Sequence, residues 1–343
     1  VKSLRLHAYE YAYVKTRSDH NWHGIQSGWD IKRMLGTVPV EEDGSVIFKA
    51  PANTPISIQP LDKDGVAIQW MRSWVTGQPG EVVSCIGCHE DQNQIAIPKR
   101  VIASQKAPSA LTLPEGGTRS FTFDLEVQPI LDRACIACHN GEGKAFDLRG
   151  GKKDKLGYGT SYLNLHPYVH RQGGEGDMVV LQPYEYHPNT SELVRLLKKG
   201  HHNVKLTDKE WKTLYNWIDY NAPDKGYFNA NVLTDLPYKG FDQIKRRKEL
   251  TDKYANGAGV DWKKEIADYA DYLKKQGPIT PVMPEKAAPV KEKTLKVKGW
   301  PFGADRIKEM LAKEKETRKV VEIAPSVKVN FVRIPAGEFV MGS

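Results

Sequence analysis

The sequence predicts a multi-domain α+β protein, with an N-terminal antiparallel β-sandwich followed by an α-helical domain. Three observations lead there. Before residue 102, Asp-Gly turns separate segments of alternating polarity. Helical periodicity takes over near Phe123. All four cysteines fall in two copies of one pentapeptide, Cys85-Ile86-Gly87-Cys88-His89 and Cys135-Ile136-Ala137-Cys138-His139, one copy in each domain.

Residues 1–102 read as the sandwich. Tyr9 to Tyr13 alternates aromatic with other residues. Thr37-Val38-Pro39-Val40 is followed by Asp43-Gly44 and Val46-Ile47-Phe48, and Ile56-Ser57-Ile58 by Asp64-Gly65 and Val66-Ala67-Ile68. That is the pattern of strands joined by tight turns. The first pentapeptide hangs from the last strand, after Gly77-Gln78-Pro79-Gly80, and residues 103–119, rich in Ser, Pro and Gly, read as a linker.

Residues 120–277 read as the helical domain. Val127, Ile130, Leu131 and Ala134 share one helix face and lead straight into Cys135. Ser191 is the expected cap of a helix over Glu192–Lys199, with Leu193, Leu196 and Leu197 inward, Lys198 and Lys199 in the last turn and Gly200 as the stop. Thr207-Asp208-Lys209-Glu210 is a capping box opening a helix that buries Trp211, Leu214, Tyr215 and Ile218. From Phe241 to about Lys275 the chain is charged and helical, interrupted at Gly257 and Gly259. Residues 278–298 read as a second linker. Residues 299–343 end in two strand-like runs, Val327–Ile334 and Glu338–Val340, around a Pro335-Ala336-Gly337 turn. With no initiator Met and an end inside a strand, the sequence reads as a piece of a longer polypeptide.

Composition sets bounds on the partners. Of 343 residues, 40% are hydrophobic and 27% charged, and no apolar run reaches membrane-spanning length. The formal charge of +8 is spread through lysine-rich stretches, which read as solvated faces and not as a nucleic-acid site.

The pentapeptides carry the chemistry. Two thiols three positions apart can add across the two vinyl groups of one haem, and the histidine that follows is carried beneath the ring to ligate iron. An all-thiolate zinc site or a redox dithiol would also use CxxC pairs. Neither accounts for a histidine directly after both second cysteines. The expected cofactors are therefore two covalently bound haem c groups, on Cys85, Cys88 and His89 and on Cys135, Cys138 and His139. A helix delivering its C-terminal end to such a motif is how a class I cytochrome c domain starts, so the helical domain reads as cytochrome c-like. Because haem is attached to this motif outside the cytoplasm, the protein is expected to be periplasmic or otherwise exported.

The sixth ligands separate electron transfer from catalysis, since an open face admits a small molecule. For the second haem, Gly200-His201-His202-Asn203 stands where cytochromes c usually place a methionine. The expected distal ligand is His201 or His202, with Met178 in reserve, and imidazole would lower the potential relative to thioether. For the first haem, His20 or His23, in a turn-like insertion, could fold over the iron; the alternative is an open or weakly ligated face. Two functions stay open: a dihaem electron-transfer protein within a larger exported redox complex, or a haem enzyme acting on a small nitrogen or oxygen species at the first haem. A scaffold in which haem only stabilises small domains is the third. Redox partner proteins or other subunits, and homo- or hetero-oligomers, are the expected partners.

Several stretches also carry a family resemblance. Trp29-Asp30-Ile31-Lys32-Arg33, Gly36 to Ser45, Met71-Arg72-Ser73-Trp74 and Pro79-Gly80-Glu81 precede the first motif. Val127 to Asp132, Glu185-Tyr186-His187, Thr190 to Leu193 and Lys199 to Leu206 surround the second. Together they resemble hydrazine synthase α-subunit-related proteins of planctomycetes, over roughly residues 1–275. The resemblance implies a substrate-facing haem on the sandwich and a bis-histidine haem in the cytochrome c-like domain. It also implies a tyrosine near the first iron just after the motif, where this sequence has Glu90-Asp91-Gln92-Asn93-Gln94. The tail, Phe331 to Gly342, resembles the opening of the formylglycine-generating, sulfatase-modifying-factor domain.

Overall fold

Alternating polarity in Ser3–Glu10 yields a strand, β1, that pairs antiparallel on both edges, with β2 (Ile31–Pro39) and β3 (Ile56–Leu61). A short β4 (Arg119–Ser120) adds to β2, giving the order β3-β1-β2-β4. The computed structural model describes residues 1–10, 24–25, 31–86, 100–143, 145–155, 157–173, 181–226, 245, 249, 252–254, 261–285, 303–313, 318–324 and 327–332.

One face of the sheet is apolar, with Leu6, Ala8, Leu35, Val38 and Ile56 packed under the loop residues Val46, Phe48 and Leu111. The other face carries Arg5, His7 and Gln59, all buried. These meet helices and not a second sheet: Arg5 Nη1 donates to Asp219 Oδ2 at 2.8 Å, and Gln59 Nε2 to the Asp219 carbonyl at 2.8 Å. Among the described residues the expected sandwich is thus corrected to a single antiparallel sheet backed by helices, in a mixed α+β unit. The polar inner face is the physical reason, because it is matched to polar groups on a helix end. Both Asp-Gly turns form, with hydrogen bonds from Glu41 N to Ser45 O and from Asp62 N to Val66 O. Their return segments make only isolated bridges, Phe48 to Ser109 and Leu61 to Ala67. The 103–119 stretch lies along the sheet, where Thr112 and Thr37 exchange backbone hydrogen bonds of 2.9 Å.

The helices are α1 (Phe123–Glu126), α2 (Gln128–Ala134), α3 (Thr160–Leu165), α4 (Glu192–Lys199), α5 (Asp208–Asp219) and α6 (Trp262–Lys275). Pro129 sits in the first turn of α2, where its missing N–H leaves no bond unmade. The core of this region joins Phe123, Val127, Leu131, Tyr162, Leu214, Trp217 and Ile218. Two expectations for α4 change. Ser191 does not cap it; its hydroxyl accepts from His170 N at 3.0 Å. The fully buried side chain is Val194, while Leu196 points outward. The capping box of α5 forms as read, with Thr207 and Glu210 satisfying each other's backbone N–H groups.

The chain divides into two units between Lys286 and Ala287, within the 278–298 stretch. The second unit contains α7 (Ala304–Ala312) and a hairpin of β5 (Arg318–Ala324) and β6 (Val327–Val332). The strand read at 338–340 lies outside the described residues. No helix among the described residues is long and apolar enough to cross a membrane.

Candidate functional site

The second pentapeptide continues the end of α2. Cys135 N donates to Leu131 O at 2.8 Å, and His139 N to Cys135 O at 2.9 Å, so the motif forms one further turn. His139 Nδ1 lies 3.1 Å from the Phe146 carbonyl. A carbonyl oxygen only accepts, so Nδ1 carries the proton and Nε2 keeps its lone pair for a metal. The imidazole packs on Phe146 at 4.8 Å between ring centres, and Phe146 stacks on Tyr168 at 5.4 Å.

Facing this ring is the turn after α4. Gly200 ends the helix at φ +101°, and His202 and Asn203 follow with φ of +44° and +62°. Left-handed backbone at two side-chain-bearing residues is strained, and such strain is concentrated at functional sites. The turn brings His201 to 6.1 Å from His139 between ring centres, while His202 stacks edge-on against His201 at 4.6 Å. Burial above all holds His201 below the usual imidazole pKa, which favours the neutral, ligating form.

These residues fit a haem iron. Two imidazoles bound to one metal from opposite sides, by bonds of about 2 Å, have ring centres roughly 6 Å apart. Cys135 is half-buried, its thiol pushed up to about 12 chiefly by burial, and a thioether sulfur suits such a dry position because it carries no charge. Cys138 is exposed. Among the described residues no group of three or more His, Cys, Asp or Glu side chains is arranged to hold a bare metal ion.

Side chains that the sequence did not single out as site residues frame the pair. Arg133, two positions before Cys135, forms a two-pronged ion pair with Glu210, Nη2 to Oε2 being 2.6 Å, and also donates to Lys205 O at 3.0 Å. This fastens the end of α2 to the start of α5. Asn203 Nδ2 donates to Glu285 O at 3.1 Å, and Val282 N donates to Arg133 O at 2.7 Å, so residues 282–285 run from the motif to the histidine turn. The position of Arg133 beside the motif and the capping-box role of Glu210 were the available signals.

At the first pentapeptide, Cys85 is exposed near the end of a described segment. Cys88, His89, His20, His23 and Met178 lie outside the described residues. The other described histidines have separate environments. His166 Nε2 accepts from Arg171 at 2.6 Å, and burial together with that cation pushes the imidazole down to about 4. His187 Nε2 lies 3.4 Å from Asp62 Oδ2.

Residues 1–90 match the family described as hydrazine synthase alpha subunit middle domain, a span that includes the first pentapeptide. The solved structure of Kuenenia stuttgartiensis hydrazine synthase is similar, with 18% identity and a TM-score of 0.43 over 66% of this chain. The chain spans 39% of that protein's length. A search of curated proteins finds no match.

Proposed function

We propose that the chain is a dihaem c-type cytochrome mediating electron transfer as part of a larger exported redox complex. The observation that carries this is the facing pair His139 and His201, with ring centres 6.1 Å apart beside a Cys-x-x-Cys. Haem supplies one-electron redox chemistry when bound. The chain's own residues do the holding. Cys135 and Cys138 would anchor the group, the Phe146 carbonyl orients His139, and the strained turn presents His201. Imidazole ligands from both His139 and His201 would suit electron transfer. Ile279, Val282 and Met283 are 47%, 50% and 67% exposed on the segment that runs past Arg133. Cys85, Cys88 and His89 would hold the first haem, with His20 or His23 as distal candidates.

A second reading is a haem enzyme acting on a small nitrogen or oxygen species at the first pentapeptide. The match of residues 1–90 to a hydrazine synthase alpha subunit domain favours it, and other subunits would then be partners. Optical and EPR spectra of the oxidised and the reduced, CO-treated protein separate the two. Two low-spin ferric signals with no response to CO support electron transfer. A high-spin component that binds CO supports the enzyme. Absence of any haem signal overturns both.

A further inference from the structure

The turn that presents His201 is strained and weakly held from within. His202 and Asn203 carry side chains at positive φ, +44° and +62°. Inside the turn, Val204 N donates to His201 O at 2.9 Å, and Asn203 N reaches Gly200 O only at 3.4 Å. His202 and Asn203 are exposed, so burial does not hold them either. A strained backbone persists only where its surroundings enforce it. The enforcing groups must therefore lie outside the turn.

They form a closed circuit that begins and ends on Arg133. Its guanidinium donates to Lys205 O, just past the turn, at 3.0 Å. Its own carbonyl accepts from Val282 N at 2.7 Å. Three residues further on, Glu285 O accepts from Asn203 Nδ2 at 3.1 Å, which returns the circuit to the turn. Arg133 stands two positions before Cys135, and Asn203 two positions after His201. One arginine thus ties the histidine turn to the pentapeptide from both sides.

The sequence explains how an exposed segment can close this circuit. Pro278, Pro281 and Pro284 recur at every third position. Each fixes its own φ near −65° and biases the residue before it toward extended backbone. Residues 278–285 accordingly form neither helix nor strand, and all but Pro284 are exposed. Among the described residues, two hydrogen bonds tie this segment to the body, from Val282 and to Glu285. So few can seat it because a proline-stiffened chain has little freedom left to lose. We propose that residues 278–285 are a strap, with Asn203 as its clasp, that holds His201 opposite His139 and so positions the distal ligand of the second haem. The proposal rests on the haem reading of that pair, and Asn203 and Pro281 act as positioning residues.

Cyanide binding to the oxidised holoprotein reads the strap, because cyanide reaches the second iron only when His201 has left it. The rate therefore follows the fraction of open turn. His201→Ala, permanently open, identifies the optical phase that belongs to this haem. Asn203→Asp keeps the side-chain shape and the tolerance of positive φ but replaces the donor with an acceptor. It is expected to speed that phase about fivefold, the equivalent of one hydrogen bond of about 1 kcal/mol. Pro281→Gly leaves both hydrogen bonds available and removes only stiffness, for an expected gain of about two- to fivefold. Both positions are exposed, so both variants keep the fold. Wild-type rates in the two variants, alongside a fast phase in His201→Ala, would overturn the strap and leave the haem reading standing. No accelerated phase in His201→Ala would overturn the ligand pair, and the strap with it.

Discussion

At the second pentapeptide a single carbonyl oxygen, that of Phe146, sets which nitrogen of His139 faces the histidine turn. Opposite it, adjacent histidines have different environments, because the left-handed backbone at His202 turns His201 toward the motif. His201→Ala is therefore expected to convert one of two low-spin ferric signals to high spin, and His202→Ala to leave both; EPR of the two variants checks this. The pentapeptides were legible in the sequence because their chemistry is local. Which of His201 and His202 stands nearer His139 was not, since composition says nothing of a backbone sign change between neighbours. A second residue-scale effect is titratable. Burial pushes the Asp224 carboxyl up to about 7. A raised acid pKa means that the folded chain holds a proton the unfolded chain has lost. Stability should therefore fall as pH rises from about 4 to about 7. Urea midpoints at about pH 5 and about pH 8 are expected to converge in Asp224→Asn relative to wild type.

Among the elements, α2 and α5 meet through Arg133 and Glu210 as well as through the apolar contacts of Leu131 and Leu214. Glu210 serves twice, in the capping box and in the ion pair. Glu210→Ala is expected to lower stability by about 1–3 kcal/mol in urea unfolding, more than a cap alone. Leu214→Ala, at a position 2% exposed, should cost about 2–5 kcal/mol by the same measurement. The capping box of α5 was readable because its residues are three apart and satisfy each other. On α4, Leu193 and Leu197 pack against the core as expected, whereas Leu196 is exposed and the fully buried Val194 was not singled out. On so short a helix, leucine spacing alone leaves the rotation open. β5 went unseen because charged residues interrupt its apolar ones, and among the described residues it pairs only with β6.

For the whole molecule, the departure from expectation is a sheet whose second face meets helices. Arg5 and Asp219, 214 positions apart, form a buried ion pair there at 2.8 Å, with side chains 4% and 0% exposed. Arg5 also donates to the Asn216 side chain and the Gly65 carbonyl, so sheet, turn and α5 share one guanidinium. Arg5→Met strands a buried carboxylate and should cost about 3–5 kcal/mol, read as a lower thermal midpoint. No local pattern announces such a pair, because a lone arginine in a strand reads as a solvent-facing position. Among the described residues a single sheet stands where a sandwich was expected, for that reason. Everything proposed about function depends on cofactors joined to the polypeptide through sulfur, one at each pentapeptide. The intact mass of the denatured protein tests this directly: the chain plus two haems is expected, and the mass of the bare chain would contradict it.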